Sequence, residues 1–113
     1  RLEDMPEGAL FGTSSPRRAA QVLARRPDLE VVPLRGNVAT RIDKVARGEV
    51  AATMLAAAGL DRLGIAIGAP VPDMLPAVAQ GAIGIETLTA NADVRALLEG
   101  IDDVPTRCAV AAE

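Results

Sequence analysis

The sequence predicts an α/β fold, a parallel-type sheet flanked by helices, on three observations. Short apolar runs alternate with segments of helical spacing in the order β-α-β-α-β, the rhythm of a parallel sheet with crossover helices. Half of the 113 residues are apolar, mostly Ala, Val, Leu and Ile, with one Phe and no Tyr or Trp. Such a composition suits a layered core of small and branched side chains. Small or capping residues stand where each apolar run gives way to a helical one, which marks the strand-to-helix junctions.

Residues 1–8 read as a loop, with Pro6 and three acids. Residues 9–13 read as a short buried strand. Ser15 is then an N-cap and Pro16 a first helical residue, opening a helix over about 16–26 that stops before Pro27. Residues 30–34 form a second strand, which Pro33 confines to an edge or a strand end. Gly36 and Asn37 turn the chain, and Asn37 caps a helix over about 38–47 that Gly48 ends. The apolar run 50–58 reads as a buried strand, and 59–63 as a further turn of helix. Residues 65–76 are rich in Pro and Gly, with a candidate strand at 65–67. Residues 82–86 read as a strand. Residues 91–101 read as a helix capped by Asn91, with Val94, Leu97, Leu98 and Ile101 on one face. A last helix starts near Pro105. The missing initial Met and an end inside a helical pattern suggest that both ends are cuts.

The charge is unevenly distributed. The chain carries −3 overall, but residues 11–47 hold eight basic and three acidic side chains, a balance of +5; the remainder holds four and twelve, or −8. Eleven of the twelve basic residues are Arg, the residue suited to bidentate contact with carboxylate or phosphate. In open α/β sheets ligands bind at the carboxyl ends of the strands. That rule groups Thr13, Ser15, Arg17 and Arg18 after the first strand with Arg35, Gly36, Asn37 and Arg41 after the second, and with Gly59 and Arg62 after the third. Arginines at helix starts oppose the dipole, so the pattern points to one site for a ligand bearing several carboxylates or phosphates.

Other chemistries are excluded or weak. There is no His, which removes Ser-His catalysis and His-based metal sites from this chain. The single cysteine, Cys108, forms no internal disulfide and reads as a buried structural thiol. A small basic region in an acidic chain without aromatic platforms does not suit nucleic acid. No apolar run is long enough to span a membrane, and the start does not resemble a signal peptide, so a cytosolic, cytoplasmic protein is expected. Arg25 and Arg26 read as a solvated helix end, and Asp102-Asp103 as a loop and cap.

Four stretches in order carry a resemblance: Gly12-Thr13-Ser14-Ser15-Pro16-Arg17-Arg18, Leu34-Arg35-Gly36-Asn37-Val38-Ala39-Thr40-Arg41, residues 55–64 from Leu55 to Gly64, and residues 74–86 from Met74 to Glu86. They closely resemble successive motifs of the porphobilinogen deaminase (hydroxymethylbilane synthase) family. Pro16 and Ala79 stand where that family more often has Leu and Gly.

The resemblance implies a transferase of haem and other tetrapyrrole biosynthesis that joins four porphobilinogen molecules into the linear pyrrole chain hydroxymethylbilane, releasing ammonia. It implies two similar α/β lobes facing a cleft, as in periplasmic solute-binding proteins, a third domain, and a monomer. It divides this chain into a crossover from domain 1 (1–10), domain 2 (11–79), a return strand and helix belonging to domain 1 (80–103) and the start of domain 3 (104–113), with Gln80 and Gly81 as a hinge. Arg17, Arg18, Arg35, Arg41 and Arg62 match the family's cofactor- and substrate-carboxylate-binding arginines, and Thr13 and Ser15 its contacts at the same helix start. The dipyrromethane cofactor is implied on a cysteine downstream of Glu113, not on Cys108, and the catalytic aspartate upstream of Arg1. No catalytic residue is therefore expected within the chain, and the chain alone is expected to be inactive. The alternative is a lobe of a small-anion solute-binding protein without catalysis.

Overall fold

The computed structural model describes residues 1–71 and 73–113; Pro72, inside the Pro- and Gly-rich stretch, lies outside the described residues. The chain divides into two compact units, residues 1–75 and 76–113.

The first unit is built on a three-stranded parallel sheet in the order β2-β1-β3, from β1 (Leu10–Gly12), β2 (Glu30–Val32) and β3 (Ala52–Thr53). Leu10, Phe11 and Gly12 stand opposite Glu30, Val31 and Val32, while Phe11 and Gly12 stand opposite Ala52 and Thr53. The central strand is thus the one that carries Phe11. Its ring is 2 % exposed and packs in a core with Leu2, Val22 and Leu29, onto which Met5, Val31, Met54 and Met74 close. The expected α/β class is observed, and β2 is at an edge of the sheet, where Pro33 has no ladder to interrupt.

Helices α1 (Pro16–Arg25), α2 (Val38–Ala46) and α3 (Ala57–Arg62) follow the three strands. The caps of the first two are those expected. Ser15 accepts from the Arg18 N–H and Asn37 from the Thr40 N–H, and Pro16 occupies the first helical turn, where it displaces no donor. The run 50–58 differs from expectation. Only Ala52 and Thr53 are strand, and helix begins at Ala57, two residues before Gly59. Among the described residues β3 pairs only with β1, so its ladder ends where β1 ends at Gly12, and the alanines that follow favour helix. Residues 65–67 form no strand. The Ile65 N–H instead returns to the Leu60 carbonyl at 3.0 Å and closes the helix end.

Arg26 is a further correction. It is not solvated but bonded on every side. Its Nε and Nη2 take both oxygens of Asp28 at 2.7 and 2.6 Å, and its Nη1 and Nη2 reach the carbonyls of Leu2, Glu3 and Met5 at 2.8, 3.3 and 2.9 Å. The guanidinium therefore fastens residues 1–5, with the buried Leu2, to the end of α1. The hydrogen bond from Arg26 holds the Asp28 carboxyl below the usual carboxylate range, and the same bond raises Arg26. A depressed carboxyl contributes stability that is complete above its unfolded pKa of about 3.9 and is lost as pH falls through the lower folded value. Asp28→Asn is expected to lower the melting temperature at pH 7 and to flatten its decline below pH 4. An acid limb as steep as that of the parent would contradict this role.

In the second unit, α4 (Ala92–Glu99) is capped by Asn91 and α5 (Val104–Ala112) by Asp103. Asp103 accepts from the Thr106 N–H at 2.8 Å and Asp102 from Arg107 at 3.0 Å, the expected loop and cap. Residues 82–86 form no strand, because no ladder partner reaches them among the described residues; Ile83 is 85 % exposed. On α4, Val94 and Leu98 are half-buried while Leu97 is exposed, as is Ile101 beyond the helix end. Ala79 and Gly81 both take positive φ, 56° and 96°. For Ala79 this is a conformation that glycine adopts freely. Cys108 is exposed, not buried: it lies on α5, no residue of which is buried in this chain. No helix among the described residues is long and apolar enough to cross a membrane.

Candidate functional site

The site forms where β1 and β2 hand over to their helices. After β1, the Thr13 N–H completes the ladder to the Val32 carbonyl at 2.9 Å, and the Thr13 hydroxyl, buried in the turn, accepts from the Ser15 N–H at 3.2 Å. The Ser14 hydroxyl donates to the Leu34 carbonyl at 3.2 Å, so the two junctions are tied together. Leu34 packs directly over Gly12, where a Cβ would stand 2.8 Å from Leu34 Cδ2. Thr13, Ser15 and Asn37 therefore build the turns and caps, and the arginines project from the helices these turns start.

Three of those arginines are each held by a backbone carbonyl. Arg18 Nη1 donates to the Met54 carbonyl just after β3 at 2.6 Å, Arg41 Nε donates to the Gly36 carbonyl at 2.8 Å, and Arg17 Nη1 donates to the Leu75 carbonyl. A guanidinium has five N–H donors, so one anchored edge leaves the others for a ligand while restricting rotamers. Among the described residues none of the three pairs with a carboxylate.

The cations also feel one another. Burial lowers the pKa of Arg18, and the charges of Arg17 and then Arg41 lower it further. Arg18 remains protonated at neutral pH, because an arginine lies far above it. The physical content is an uncompensated cluster of positive charge, half-buried, at the N-terminal turns of α1 and α2. Helix dipoles add to the same potential. An anion entering there relieves repulsion as well as gaining hydrogen bonds, and a ligand with several carboxylates gains more than once.

The structure does not bring every expected residue into this arrangement. Arg35 is exposed and makes no side-chain hydrogen bond or ion pair among the described residues. Arg62 is the last residue of α3, not near its start. Its place beside a helix C-terminus is electrostatically favourable, so the dipole argument used for the other junctions does not extend to it. Gly59 lies within α3, and a Cβ there would meet only Val38 Cγ2 at an ordinary 3.9 Å. Gly36 is different: φ is +122° and a Cβ would lie 2.7 Å from Thr40 Cγ2. The carbonyls of Met54 and Leu75, which anchor Arg18 and Arg17, carry no signal in the sequence, since any residue supplies a carbonyl.

Comparison with known proteins places the chain in a family. Residues 1–96 match the family described as "Porphobilinogen deaminase, dipyromethane cofactor binding domain". The chain is 59 % identical over 116 residues to a porphobilinogen deaminase of Sphingopyxis alaskensis, covering 100 % of this chain and 37 % of that protein. It is 54 % identical over 117 residues to the one of Desulforudis audaxviator, with 100 % and 38 % covered, and 50 % identical over 116 residues to the one of Brevibacillus brevis, with 99 % and 38 % covered. The chain thus spans little more than a third of the length of these relatives. With a family match over residues 1–96 and this level of identity along its length, the chain belongs to the porphobilinogen deaminase family.

Proposed function

We propose that this chain supplies the carboxylate-binding wall of a porphobilinogen deaminase, a transferase that joins four porphobilinogen molecules into hydroxymethylbilane and releases ammonia. The observation that carries the reading is the cluster of Arg17, Arg18 and Arg41, anchored by backbone carbonyls and without carboxylate partners among the described residues. Porphobilinogen and a dipyrromethane both bear acetate and propionate groups, so an unneutralised set of guanidiniums fits either. Arg18 and Arg17 take the carboxylates nearest the start of α1, Arg41 those nearest α2, and Arg35 and Arg62 complete the set from its margins. Thr13, Ser15, Gly36 and Asn37 hold the turns, and Gly59 lets the ligand pass α3.

When bound, the dipyrromethane supplies the pyrrole carbon onto which the chain grows. The residues present here bind and orient. Holding the reacting rings by their carboxylates fixes their approach, and a fixed approach is worth several kcal/mol of barrier, on the order of 7–11 kcal/mol for the best-aligned cases. Neutralising the side chains' charge also lets successive anionic rings be packed together. In this reading residues 11–79 are one lobe of a two-lobed, periplasmic-binding-protein-like enzyme, residues 1–10 and 80–103 connect to and complete the other lobe, 104–113 open a third domain, and Gln80-Gly81 is the hinge. The enzyme is a cytoplasmic monomer, with its acid-base aspartate and its cofactor cysteine outside residues 1–113. The test is a titration of the complete protein with a pyrrole carrying acetate and propionate side chains but no aminomethyl group, and with its dimethyl ester: the acid is expected to bind and the ester not.

A further inference from the structure

Arg17, Gln21 and Arg25 lie four residues apart along α1 and share one face of the helix. That face holds the backbone of residues 73–75. The Leu75 N–H donates to Gln21 Oε1 at 2.7 Å, and Gln21 Nε2 donates to the Leu75 carbonyl at 3.3 Å and to the Arg17 carbonyl at 3.1 Å. The Gln21 carboxamide thus pairs with both groups of Leu75, as a neighbouring strand would. Arg25 Nη2 donates to the Asp73 carbonyl at 2.8 Å, and Met74 closes on the core from the same segment. The Leu75 carbonyl is the acceptor that anchors Arg17. Its position is therefore set by Gln21, one helical turn from the arginine it restrains.

We propose that Gln21 is a positioning residue for the carboxylate site: by fastening residues 73–75 to α1 it holds the Leu75 carbonyl where it restrains Arg17. The proposal rests on the reading of the arginine cluster as a ligand site. An unrestrained arginine side chain loses rotamer freedom when it takes a ligand; with Leu75 in place that loss has already been met in folding. By reciprocity of coupled equilibria, ligand at Arg17 also tightens the hold on Leu75.

The test is a double-mutant cycle in the complete protein, read with the same unreactive acetate- and propionate-bearing pyrrole. Alanine is a strong helix former, so Gln21→Ala leaves α1 intact. It is expected to weaken binding about fivefold, within the range of couplings between contacting residues, and to speed hydrogen exchange at the Leu75 amide about tenfold. In an Arg17→Lys background the same change is expected to weaken binding by less than about 1.5-fold, because the ammonium no longer depends on the carbonyl in the same geometry. An equal loss in both backgrounds overturns the proposal, since it would show a structural effect that bypasses Arg17. Unchanged or tighter binding beside faster Leu75 exchange also overturns it. Arg18→Leu separates the two levels: if it weakens binding while Gln21→Ala does not, only the positioning role fails, and if it leaves binding unchanged, the ligand site and the role built on it fail together.

Discussion

Arg18→Leu is expected to weaken binding of the acetate- and propionate-bearing pyrrole about 100-fold while leaving the fold intact. Arg18 is the member of the cluster whose ionisation burial and its neighbours disfavour. It is half-buried, its Nη1 is committed to Met54, and its charge is opposed by Arg17 and Arg41. A ligand carboxylate in contact with it would be largely desolvated, and removing one partner of such a pair costs about 2–5 kcal/mol. About 2.8 kcal/mol corresponds to 100-fold. Leucine removes the charge and keeps a compatible aliphatic volume over the sheet end. Repulsion on Arg17 and Arg41 also falls, so the free protein loses no stability from the missing charge. Calorimetric titration alongside thermal melting separates the two effects; wild-type affinity in Arg18→Leu would overturn the reading of the arginine cluster as the ligand site.

Gly36→Ala is expected to destabilise the first unit by about 2–4 kcal/mol, the sum of a strained backbone and a steric overlap. The φ of +122° lies where L residues are rarely found, and the added Cβ would stand 2.7 and 2.8 Å from Thr40 Cγ2 and Cβ. Thr40 is β-branched, on the first turn of α2, and its hydroxyl and N–H are both bonded to the Asn37 cap at 2.9 Å. It has little room to yield. Relieving the overlap means moving the turn, and with it the carbonyl that anchors Arg41 at 2.8 Å. Gly48 is the internal comparison: its φ is +75° but among the described residues nothing lies within 4 Å of a Cβ, so Gly48→Ala is expected to cost only about 1 kcal/mol. Urea unfolding at unchanged m-value measures both. Equal and small losses at the two positions would contradict the steric account.

What was legible in the sequence was the local chemistry. Ser15, Asn37, Asn91 and Asp103 announce helix starts through side chains that can accept from first-turn N–H groups, and the structure uses each as a cap, while Asp102 beside them takes the Arg107 side chain. The arginines at the starts of α1 and α2 were legible for the opposite reason, because they stand where a helix alone would not favour them. The third junction is not legible in the same way. Residues 50–58 are apolar throughout, and periodicity cannot separate a buried strand from a helix in so short a run, so the start of α3 and the place of Arg62 followed from the wrong boundary. Residues 82–86 have the composition of a strand, but a strand needs a neighbour, and composition does not supply one. Arg26 was invisible for a related reason: three of its partners are the carbonyls of Leu2, Glu3 and Met5. Contacts between a side chain and a distant main chain leave no mark on residue type. The anchoring of Arg17, Arg18 and Arg41 belongs to the same class.

Carboxylates, more than pyrrole rings, are what this arginine cluster recognises in the proposed function. The most direct measurement is the ratio of dissociation constants for the dimethyl ester and the free acid of the unreactive acetate- and propionate-bearing pyrrole, measured on the complete protein at constant low salt. The ring and its shape are the same in both ligands and only the charge differs. The expected ratio is at least about 100, from one or more charge-assisted pairs. A ratio near one would contradict it.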